Sequence, residues 1–333
     1  MRTAIIGAGI GGSYLCNLLQ KKHPDVQIDM YSIMNKTKCR IRPCGWLVNY
    51  HEFMKLGREL DMNFSQYVLE KFDFMEIQGQ RLYADVATID KPLLIRELLG
   101  EVEVMYDIPD IAEYDKVVDA TGVGAYLPPR RDGTVVEIHQ ARFENRGHQC
   151  PEGFIDSEYF ELGYIIPLGD GTAHVGFGTV TELGKAKELV SDGKALCGCT
   201  SSLWVGGSSF PVVHGKVCGI GESIGLVDPL SGAGIIPAMD SARALVQYWD
   251  DLQKYEDYIK HHYKFMVRRA RALRSNNLIV KVFNLVLSHR KSSKLIGFNV
   301  GARGLIDLIK LTCESTKYMK SSQQTSYRSA DFG

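Results

Sequence analysis

Three spaced glycines after an apolar run constrain the fold of this chain more than any other feature. The apolar residues 3–6 lead into Gly7-x-Gly9-x-x-Gly12, and a helical pattern begins at Ser13. At this spacing the first glycine allows a sharp turn, the second lets the backbone approach a pyrophosphate, and the third lets a helix pack on a strand. The phosphates face a helix N-terminus, where unpaired N–H groups and the helix dipole favour negative charge. The spacing therefore predicts a dinucleotide site.

The residues that follow provide the context that this motif needs. Leu15, Leu18 and Leu19 recur at helical spacing, and residues 26–31 have the composition of a second strand. Strand, helix and strand then form the start of a βαβ unit. The alternative, a glycine-rich turn without a ligand, is disfavoured by that order of elements.

One position departs from the dinucleotide pattern. The acidic residue that normally follows the second strand and binds the adenosine ribose is replaced by Ser32, and Asp29 lies too early, inside the strand. Ser32 could still hydrogen-bond a hydroxyl group, although less strongly than a carboxylate.

Charge is unevenly distributed along the 333 residues, although the formal net charge is zero. From Gln253 onward there are 16 Lys and Arg against 5 Asp and Glu, so the preceding part carries the opposite excess. A basic helical quarter suits an anionic partner, either a membrane surface or a phosphorylated substrate. A solvated face that complements the acidic remainder is the alternative. No nucleic-acid partner is expected.

Other sequence features indicate a cytoplasmic protein that at most rests on a membrane. The first apolar run is the strand before the glycines, so no signal peptide is expected, and no apolar run reaches the ~18 residues that cross a bilayer. The eight cysteines show no paired CxxC spacing. We therefore expect no zinc or iron–sulfur site, and mostly buried thiols in a reducing compartment.

The central part of the chain alternates helical and strand patterns. Residues 51–70 and 91–99 have helical patterns, and residues 72–88 alternate as strands. Residues 101–106 and 116–122 are predicted as buried strands. The second of these ends in Ala-Thr-Gly, and small residues at such a position let a chain return beneath a cofactor; an ordinary strand-to-loop glycine is the alternative.

A separate antiparallel sheet is predicted from residue 135 onward. Residues 135–138, 159–166 and 173–178 have strand patterns, and Gly169-Asp170-Gly171 is a hairpin turn between the last two. Such a layer could cover a ligand. A helix at about 181–192 and a strand near 209–213 then return the chain to the first domain.

A second informative stretch runs from Val217 to Ile236. A strand reaches Gly221-Glu222, a loop of proline and small residues follows, and a helix begins at about Gly234. A carboxylate at a strand end can bond the ribityl chain of a flavin, and a helix N-terminus can stabilise negative charge on the reduced ring. A protein that binds only a nicotinamide dinucleotide has no need of this element, so the two stretches together favour FAD.

These residues resemble the geranylgeranyl reductase family of flavoproteins, within the group that shares the p-hydroxybenzoate hydroxylase fold. Pro43-Cys44-Gly45 resembles the family's flavin loop, and the basic residues before it could meet cofactor phosphates or be solvated. Residues 163–167 followed by Gly176-x-Gly178 resemble its aromatic-Pro…Gly-x-Gly substrate motif, and residues 222–235 have its acid-to-helix spacing. In this chain Glu222 replaces Asp, Lys91 replaces Arg, and Leu162 and Tyr164 replace the motif's Tyr and Trp.

The resemblance implies an α/β protein (α+β overall) with a Rossmann-like FAD domain, an antiparallel β-sheet substrate domain and C-terminal helices. The expected bounds are 1–50, 85–130 and 213–250 for the FAD domain, 51–84 and 131–212 for the substrate domain, and 251–333 for the C-terminal helical region. The expected cofactor-binding residues are Gly7, Gly9, Gly11, Gly12, Ser32, Cys44, Gly45, Lys91, Ala120, Gly122, Glu222, Gly225, Gly232, Gly234 and Ile235. The expected substrate residues are Tyr164, Pro167, Gly176 and Gly178.

The family's reaction is saturation of isolated C=C bonds in geranylgeranyl chains. An isolated alkene offers no carbonyl oxygen to polarise, so few polar catalytic groups and a long apolar pocket are expected. Cys44 either assists protonation or makes a structural flavin contact. The electron donor, NAD(P)H or a ferredoxin-like protein, stays open. An FAD monooxygenase of the same fold and a non-catalytic prenyl-lipid carrier with a structural flavin are the alternatives. A basic segment, Arg268-Arg269-x-Arg271-x-x-Arg274, either holds anionic groups or belongs to a helix pair packed on the FAD domain.

Overall fold

Two β-sheets and seven α-helices make up the part of the chain that the computed structural model describes. That part comprises residues 1–32, 44–77, 79–122, 126–128, 134–145, 147–156, 161–179, 195–205, 211–275 and 277–297. The basic segment 36–43, which includes Pro43 of the expected flavin loop, and the helix expected at 181–192 lie outside the described residues.

The first sheet consists of β1 (Arg2–Ile6), β2 (Gln27–Tyr31), β6 (Val104–Met105), β7 (Lys116–Asp119), β13 (Val213–His214) and β14 (Val217–Gly219). The order of its strands is β13-β14-β7-β1-β2-β6, and all its pairs are parallel except β13 with β14. The four residues of β7 are all buried, since the strand lies between two neighbours. The carboxyl ends of β1, β7 and β14 therefore meet at one edge.

The second sheet has the order β12-β8-β11-β10-β9-β4-β5-β3. Its strands are β3 (Leu47–Asn49), β4 (Val68–Ile77), β5 (Gln80–Ile89), β8 (Thr134–Glu144), β9 (Glu152–Asp156), β10 (Glu161–Pro167), β11 (Thr172–Thr179) and β12 (Cys197–Val205). Its pairs are antiparallel except β4 with β9. The predicted hairpin between β10 and β11 is confirmed, with φ of +74° at Gly169 and +80° at Gly171.

The helices are α1 (Ile10–Lys22), α2 (Tyr50–Glu59), α3 (Lys91–Leu99), α4 (Ile235–Gln247), α5 (Leu252–His262), α6 (Lys264–Arg274) and α7 (Leu278–Ile296). The main core lies where α1 packs against α4, and α2 adds Phe53 to it. Tyr14 is fully buried there and donates a hydrogen bond to the carbonyl of Leu56 at 3.0 Å. This bond joins α1 to the segment that leads into the second sheet.

Several boundaries differ from the sequence prediction. Helix α1 begins three residues before Ser13, since its first turn includes the glycines after Gly9. The helix predicted over 51–70 ends at Glu59, because the backbone turns at Asp61 with a φ of +56°, and a strand begins at Val68. The strand predicted at 101–106 is short and half-buried, since it is an edge strand.

Two further differences concern strands. The pattern did not predict β3, β9 and β12, and the strand before Glu222 ends at Gly219. The proposed domain bounds remain a prediction, although β3 and the end of β5, assigned to the FAD domain, pair in the second sheet. Among the described helices, none combines the length and the apolar character needed to span a membrane.

Candidate functional site

The glycine turn has a distinct steric role at each of its three positions. Gly7 has a φ of +124°, and a Cβ there would overlap the carbonyl of Ala120 at the end of β7. A Cβ at Gly12 would overlap the carbonyl oxygen of Gly7. At Gly9, by contrast, no atom lies within 4 Å of an added Cβ. Gly7 and Gly12 therefore allow close contacts of the main chain, Gly7 with Ala120 and Gly12 with Gly7. Gly9 borders open space, as the motif predicts.

Two helix N-termini meet beside this turn. α1 begins after Gly9 and α4 after Gly234, and neither has a side-chain cap or an acidic residue in its first turn. The two helices pack closely, since a Cβ at Gly11 would lie 3.3 Å from the Cβ of Ala238. Uncapped N–H groups and the positive ends of two helix dipoles make this edge of the first sheet favourable for an anion.

Asp119, at the end of β7, binds residues that follow it along the chain. Its carboxylate is buried and accepts hydrogen bonds from the Thr121 amide at 3.1 Å and hydroxyl at 2.7 Å, and from the Tyr126 amide at 2.9 Å. Gly122 follows with a φ of +82°. Sequence reasoning missed Asp119. A lone acid at the end of a buried strand was the available signal.

Glu222 lies in a 3₁₀ turn, Gly221–Ile224, rather than at a strand end. The turn is fixed by Ser223, whose hydroxyl donates to the Asp119 carbonyl at 2.6 Å and accepts from the Ile220 amide at 3.1 Å. Gly225 ends the turn with a φ of +76°. Glu222 itself is half-buried. The predicted acid therefore sits on a rigid turn beside β7.

On the other side of the edge, Ser32 follows β2. Its backbone amide donates to the Met105 carbonyl at 2.8 Å. Asp29, which the spacing excluded as a ribose ligand, is engaged elsewhere: its Oδ2 accepts from Arg2 Nε at 2.9 Å and from the Tyr114 hydroxyl at 2.9 Å. Ser32 is thus the side chain that remains at the position of the usual acid.

Residues 44–46 pack against the second sheet. A Cβ at Gly45 would overlap the Ile166 side chain and would lie 3.7 Å from the Tyr164 ring. Trp46 has a φ of +60°, and its ring stands edge-on to His174 with 4.6 Å between centroids. Burial, followed by the charge of Arg142 and with a smaller contribution from the charge of Lys91, lowers the pKa of His174. The structure thus brings Cys44 and Gly45 to the face that carries Tyr164, whereas Lys91 is the first residue of α3.

A row of paired residues crosses this face of the sheet. Tyr164 on β10 is opposite Gly176 on β11, Gly176 is opposite Gln140 on β8, and Gln140 is opposite Cys199 on β12. A Cβ at Gly176 would overlap the Tyr164 ring, so the glycine lets the ring cross the strand. The Tyr164 hydroxyl then donates to Gln140 Oε1 at 2.5 Å. Burial, with smaller contributions from the Cys44 and Cys199 thiols, raises the pKa of Tyr164.

Other predicted substrate positions lie at the ends of these strands. Pro167 ends β10 opposite Ala173, and Gly178 is opposite Leu162. Sequence reasoning did not single out His174 or Gln140. His174 is buried, its Nδ1 has no hydrogen-bond partner within the described part of the structure, and burial followed by the charge of Arg142 lowers its pKa to about 4. It is therefore neutral near pH 7.

The loop before α4 is held from inside the protein. Asp228 is fully buried, and its Oδ1 accepts from the amides of Leu230 at 3.1 Å and Ser231 at 2.9 Å. Its Oδ2 lies 3.1 Å from Nε of Arg269, which is 4% exposed. Arg269 is therefore buried in an ion pair, which agrees with the alternative that this helix pair packs against the rest of the protein. An anionic partner for the basic segment as a whole stays a prediction.

Comparison with known proteins supports this architecture. No protein-family profile matches the chain. An uncharacterized protein of Methanocaldococcus jannaschii, MJ1182, is 26% identical over 345 aligned positions, which cover 84% of this chain and 93% of that protein. A crystal structure of a geranylgeranyl bacteriochlorophyll reductase-like protein from Thermoplasma acidophilum superposes with a TM-score of 0.67 over 97% of this chain and 98% of that one, at 13% identity. The chain has the p-hydroxybenzoate hydroxylase-like fold.

Two further proteins have this p-hydroxybenzoate hydroxylase-like fold. Klebsiella pneumoniae HpxO, in a variant crystallised with FAD, has a TM-score of 0.61 at 14% identity and covers 94% of this chain and 99% of its own. PqsL of Pseudomonas aeruginosa, a probable FAD-dependent monooxygenase, has a TM-score of 0.58 at 16% identity over 82% of this chain and 95% of its own. The resemblance drawn from the motifs is confirmed at the level of the fold.

Proposed function

We propose that this chain is an FAD-dependent oxidoreductase that saturates isolated C=C bonds in geranylgeranyl chains of lipid precursors or prenyl diphosphates. The observation that carries the proposal is the pair of uncapped helix N-termini, at Gly9 and Gly234, on one edge of the sheet. Gly9 borders open space, so the backbone can approach a pyrophosphate there. The residues present therefore fit FAD, and the fold-level resemblance supports this reading.

Each part of the cofactor has a candidate partner in this chain. The first turn of α1 would hold the pyrophosphate, Ser32 the adenosine ribose, and Glu222 the ribityl chain. The N-terminus of α4, after Gly232 and Gly234, would stabilise negative charge at the ring. When bound, FAD supplies hydride transfer to the substrate. The remaining tasks of the chain's own residues are to exclude water, orient the prenyl chain and deliver a proton.

The proposal is tested first by colour and then by turnover. Purified protein should show a flavin absorption spectrum, and mass spectrometry should identify co-purifying prenyl lipids. With dithionite as reductant, a geranylgeranyl substrate should gain two mass units for each double bond reduced. A colourless protein that takes up no added FAD contradicts the proposal, and a yellow protein that binds prenyl lipid without turnover supports the carrier alternative.

A monooxygenase is the second candidate function, and the polar side chains on the face of the second sheet that carries Tyr164 favour it. The Tyr164–Gln140 hydrogen bond and the buried, neutral His174 would suit a substrate with polar groups better than a hydrocarbon chain. A probable FAD-dependent monooxygenase also shares the fold. Rapid NADPH oxidation with peroxide formation would favour this candidate over the reductase.

Cys44 is the residue that we propose as the proton donor. It is half-buried beside Gly45 and close enough to Tyr164 to influence the pKa of that hydroxyl. We expect Cys44→Ala to retain FAD and to lose about 100-fold or more in alkene reduction, the usual contribution of a general acid. Cys197→Ala, which removes a half-buried thiol at the edge of the same sheet, is the matched control. Equal rates in the two variants would reject a catalytic role for Cys44.

We also propose that the outer face of α7 contacts an anionic membrane surface. Ile279 and Phe283 are 78% and 62% exposed, Val286 and Leu287 continue the same stripe, and exposed Arg290 follows it. An apolar stripe that continues into basic residues suits a bilayer with acidic headgroups.

Vesicle co-sedimentation tests this membrane contact. The protein should bind vesicles that contain phosphatidylglycerol more strongly than vesicles of phosphatidylcholine alone. Replacing both Phe283 and Leu287 by serine should weaken binding by about 10-fold or more, since two partly exposed apolar side chains lose their contact with lipid. Equal sedimentation of variant and wild type would place the contact elsewhere or exclude it.

A further inference from the structure

A buried ion pair joins the loop before α4 to the C-terminal helices. Asp228 on the loop and Arg269 on α6 lie 3.1 Å apart between Oδ2 and Nε, at exposures of 0% and 4%. Arg269 also donates from Nη1 to the hydroxyl of Ser292 on α7, and that hydroxyl lies 3.3 Å from Asp228 Oδ2. Burying two charges is costly unless they are paired, so this arrangement constrains which loop conformation the folded protein can adopt.

The same carboxylate shapes the loop itself. While Oδ2 faces Arg269, Oδ1 accepts from the Leu230 amide, the Ser231 amide and the Ser231 hydroxyl. The backbone closes around it, because the Asp228 amide donates to the Ala233 carbonyl at 3.0 Å and the Gly232 amide to the Asp228 carbonyl at 2.9 Å. Residues 228–233 thus form a closed loop directly before the N-terminus of α4.

Helix α7 connects this loop to the second sheet. Its buried residues recur at helical spacing and include Ser292, which faces Asp228. Two residues later, the Lys294 carbonyl accepts a hydrogen bond from Asn49 Nδ2 on β3 at 2.7 Å, and the Gly297 carbonyl accepts from the Asp85 amide at 2.6 Å. β3 begins directly after Cys44–Trp46. One helix therefore contacts both the loop before α4 and the strand that follows the Cys44 loop.

We propose that Arg269 is a positioning residue of the flavin site. By pairing with Asp228 it holds the loop 228–233, and with it the N-terminus of α4, in the conformation that accepts the isoalloxazine ring. The inference rests on the proposed function, since it assigns that loop to FAD. On this inference, the helix pair α6 and α7 is part of the cofactor site. This role is independent of the membrane contact proposed for the outer face of α7.

A double-mutant cycle in FAD affinity tests the inference. Arg269→Met leaves Asp228 buried without its partner, and we expect FAD affinity to fall by at least 10-fold, together with a change in the visible spectrum of the bound flavin. Asp228→Asn alone is the second single variant of the cycle. Asp228→Asn combined with Arg269→Met removes both charges and should bind FAD more tightly than Arg269→Met alone. Ser292→Ala, which removes only a hydroxyl, should fold and lose affinity by a few-fold. Arg271→Met, at an exposed position on the same helix, is the control and should match the wild type.

Flavin fluorescence titration and thermal unfolding of the apoproteins separate the outcomes. Reduced affinity in folded variants, with strong non-additivity in the cycle, supports the inference. If Arg269→Met does not fold, the inference is tested with the double variant and with Ser292→Ala. Wild-type affinity for FAD in both of these variants would overturn it. Additive losses, or wild-type affinity in a folded Arg269→Met, overturn it too while leaving the proposed function intact. A wild-type protein that takes up no FAD overturns both proposals.

Discussion

Valine in place of Gly9 should leave the folded apoprotein intact and weaken FAD binding strongly. An added Cβ at this position meets no atom within 4 Å, and the backbone φ of −80° is open to any residue. The two methyl groups would, however, occupy the space from which a pyrophosphate reaches the first amides of α1. We expect the free energy of unfolding of the apoprotein to change by less than about 1 kcal/mol. FAD affinity should fall by about 100-fold or more, or roughly 3 kcal/mol.

The two quantities are measured on the same preparations. Urea unfolding of apoprotein reports the stability, and flavin fluorescence titration reports the affinity. Gly9→Ala provides a graded control, because one methyl group intrudes less than two and should give an intermediate loss. Wild-type affinity in Gly9→Val would mean that the phosphates do not approach α1 at Gly9, and the proposed orientation of the cofactor would then be wrong.

The glycine turn could be predicted because its requirements are local. Gly7 and Gly12 are needed for contacts within one strand–turn–helix unit and with the adjacent β7, so a short motif contains the information. The second sheet was predicted only in part. Its hairpin from β10 to β11 has a local turn signal. By contrast, β12 pairs with β8, which is distant in sequence, and β9 pairs with the distant β4 as well as with the neighbouring β10.

Charged residues show why the rest of the site was not predictable. Arg268, Arg269 and Arg271 look alike in a basic segment, yet Arg269 is buried against Asp228 while Arg271 is exposed. Only the packing of α6 on the first domain distinguishes them. In the same way, the carboxylate of Asp119 binds the amide of Tyr126, seven residues later, and Glu222 lies on a 3₁₀ turn that depends on Ser223 and Ser241.

Alanine in place of Gly12 should destabilise the protein strongly, although glycine is a poor helix former. In an exposed helix this change would stabilise by about 1 kcal/mol. Here the new Cβ would overlap the carbonyl oxygen of Gly7 and would lie 3.3 Å from the Cβ of Ala120. The overlapped atom is main chain, so no side-chain rotation relieves the clash, and α1 must move away from β1. We expect a net loss of roughly 3 kcal/mol, with FAD affinity reduced as well, because the turn carries the pyrophosphate position.

Gly11→Ala is the matched control for this change, since it is the adjacent residue of the same helix. Its Cβ would lie 3.5 Å from Cδ1 of Ile220, which a side-chain rotation can move, and 3.3 Å from the Cβ of Ala238, a close contact that a shift of α4 by a few tenths of an ångström relieves. Improved helix propensity then offsets mild crowding, so its stability should stay within about 1 kcal/mol of the wild type. Urea unfolding of the two variants side by side measures the difference. Equal stabilities would show that the spacing between α1 and β1 does not depend on the absence of a side chain at Gly12. The steric explanation of this glycine would then be wrong.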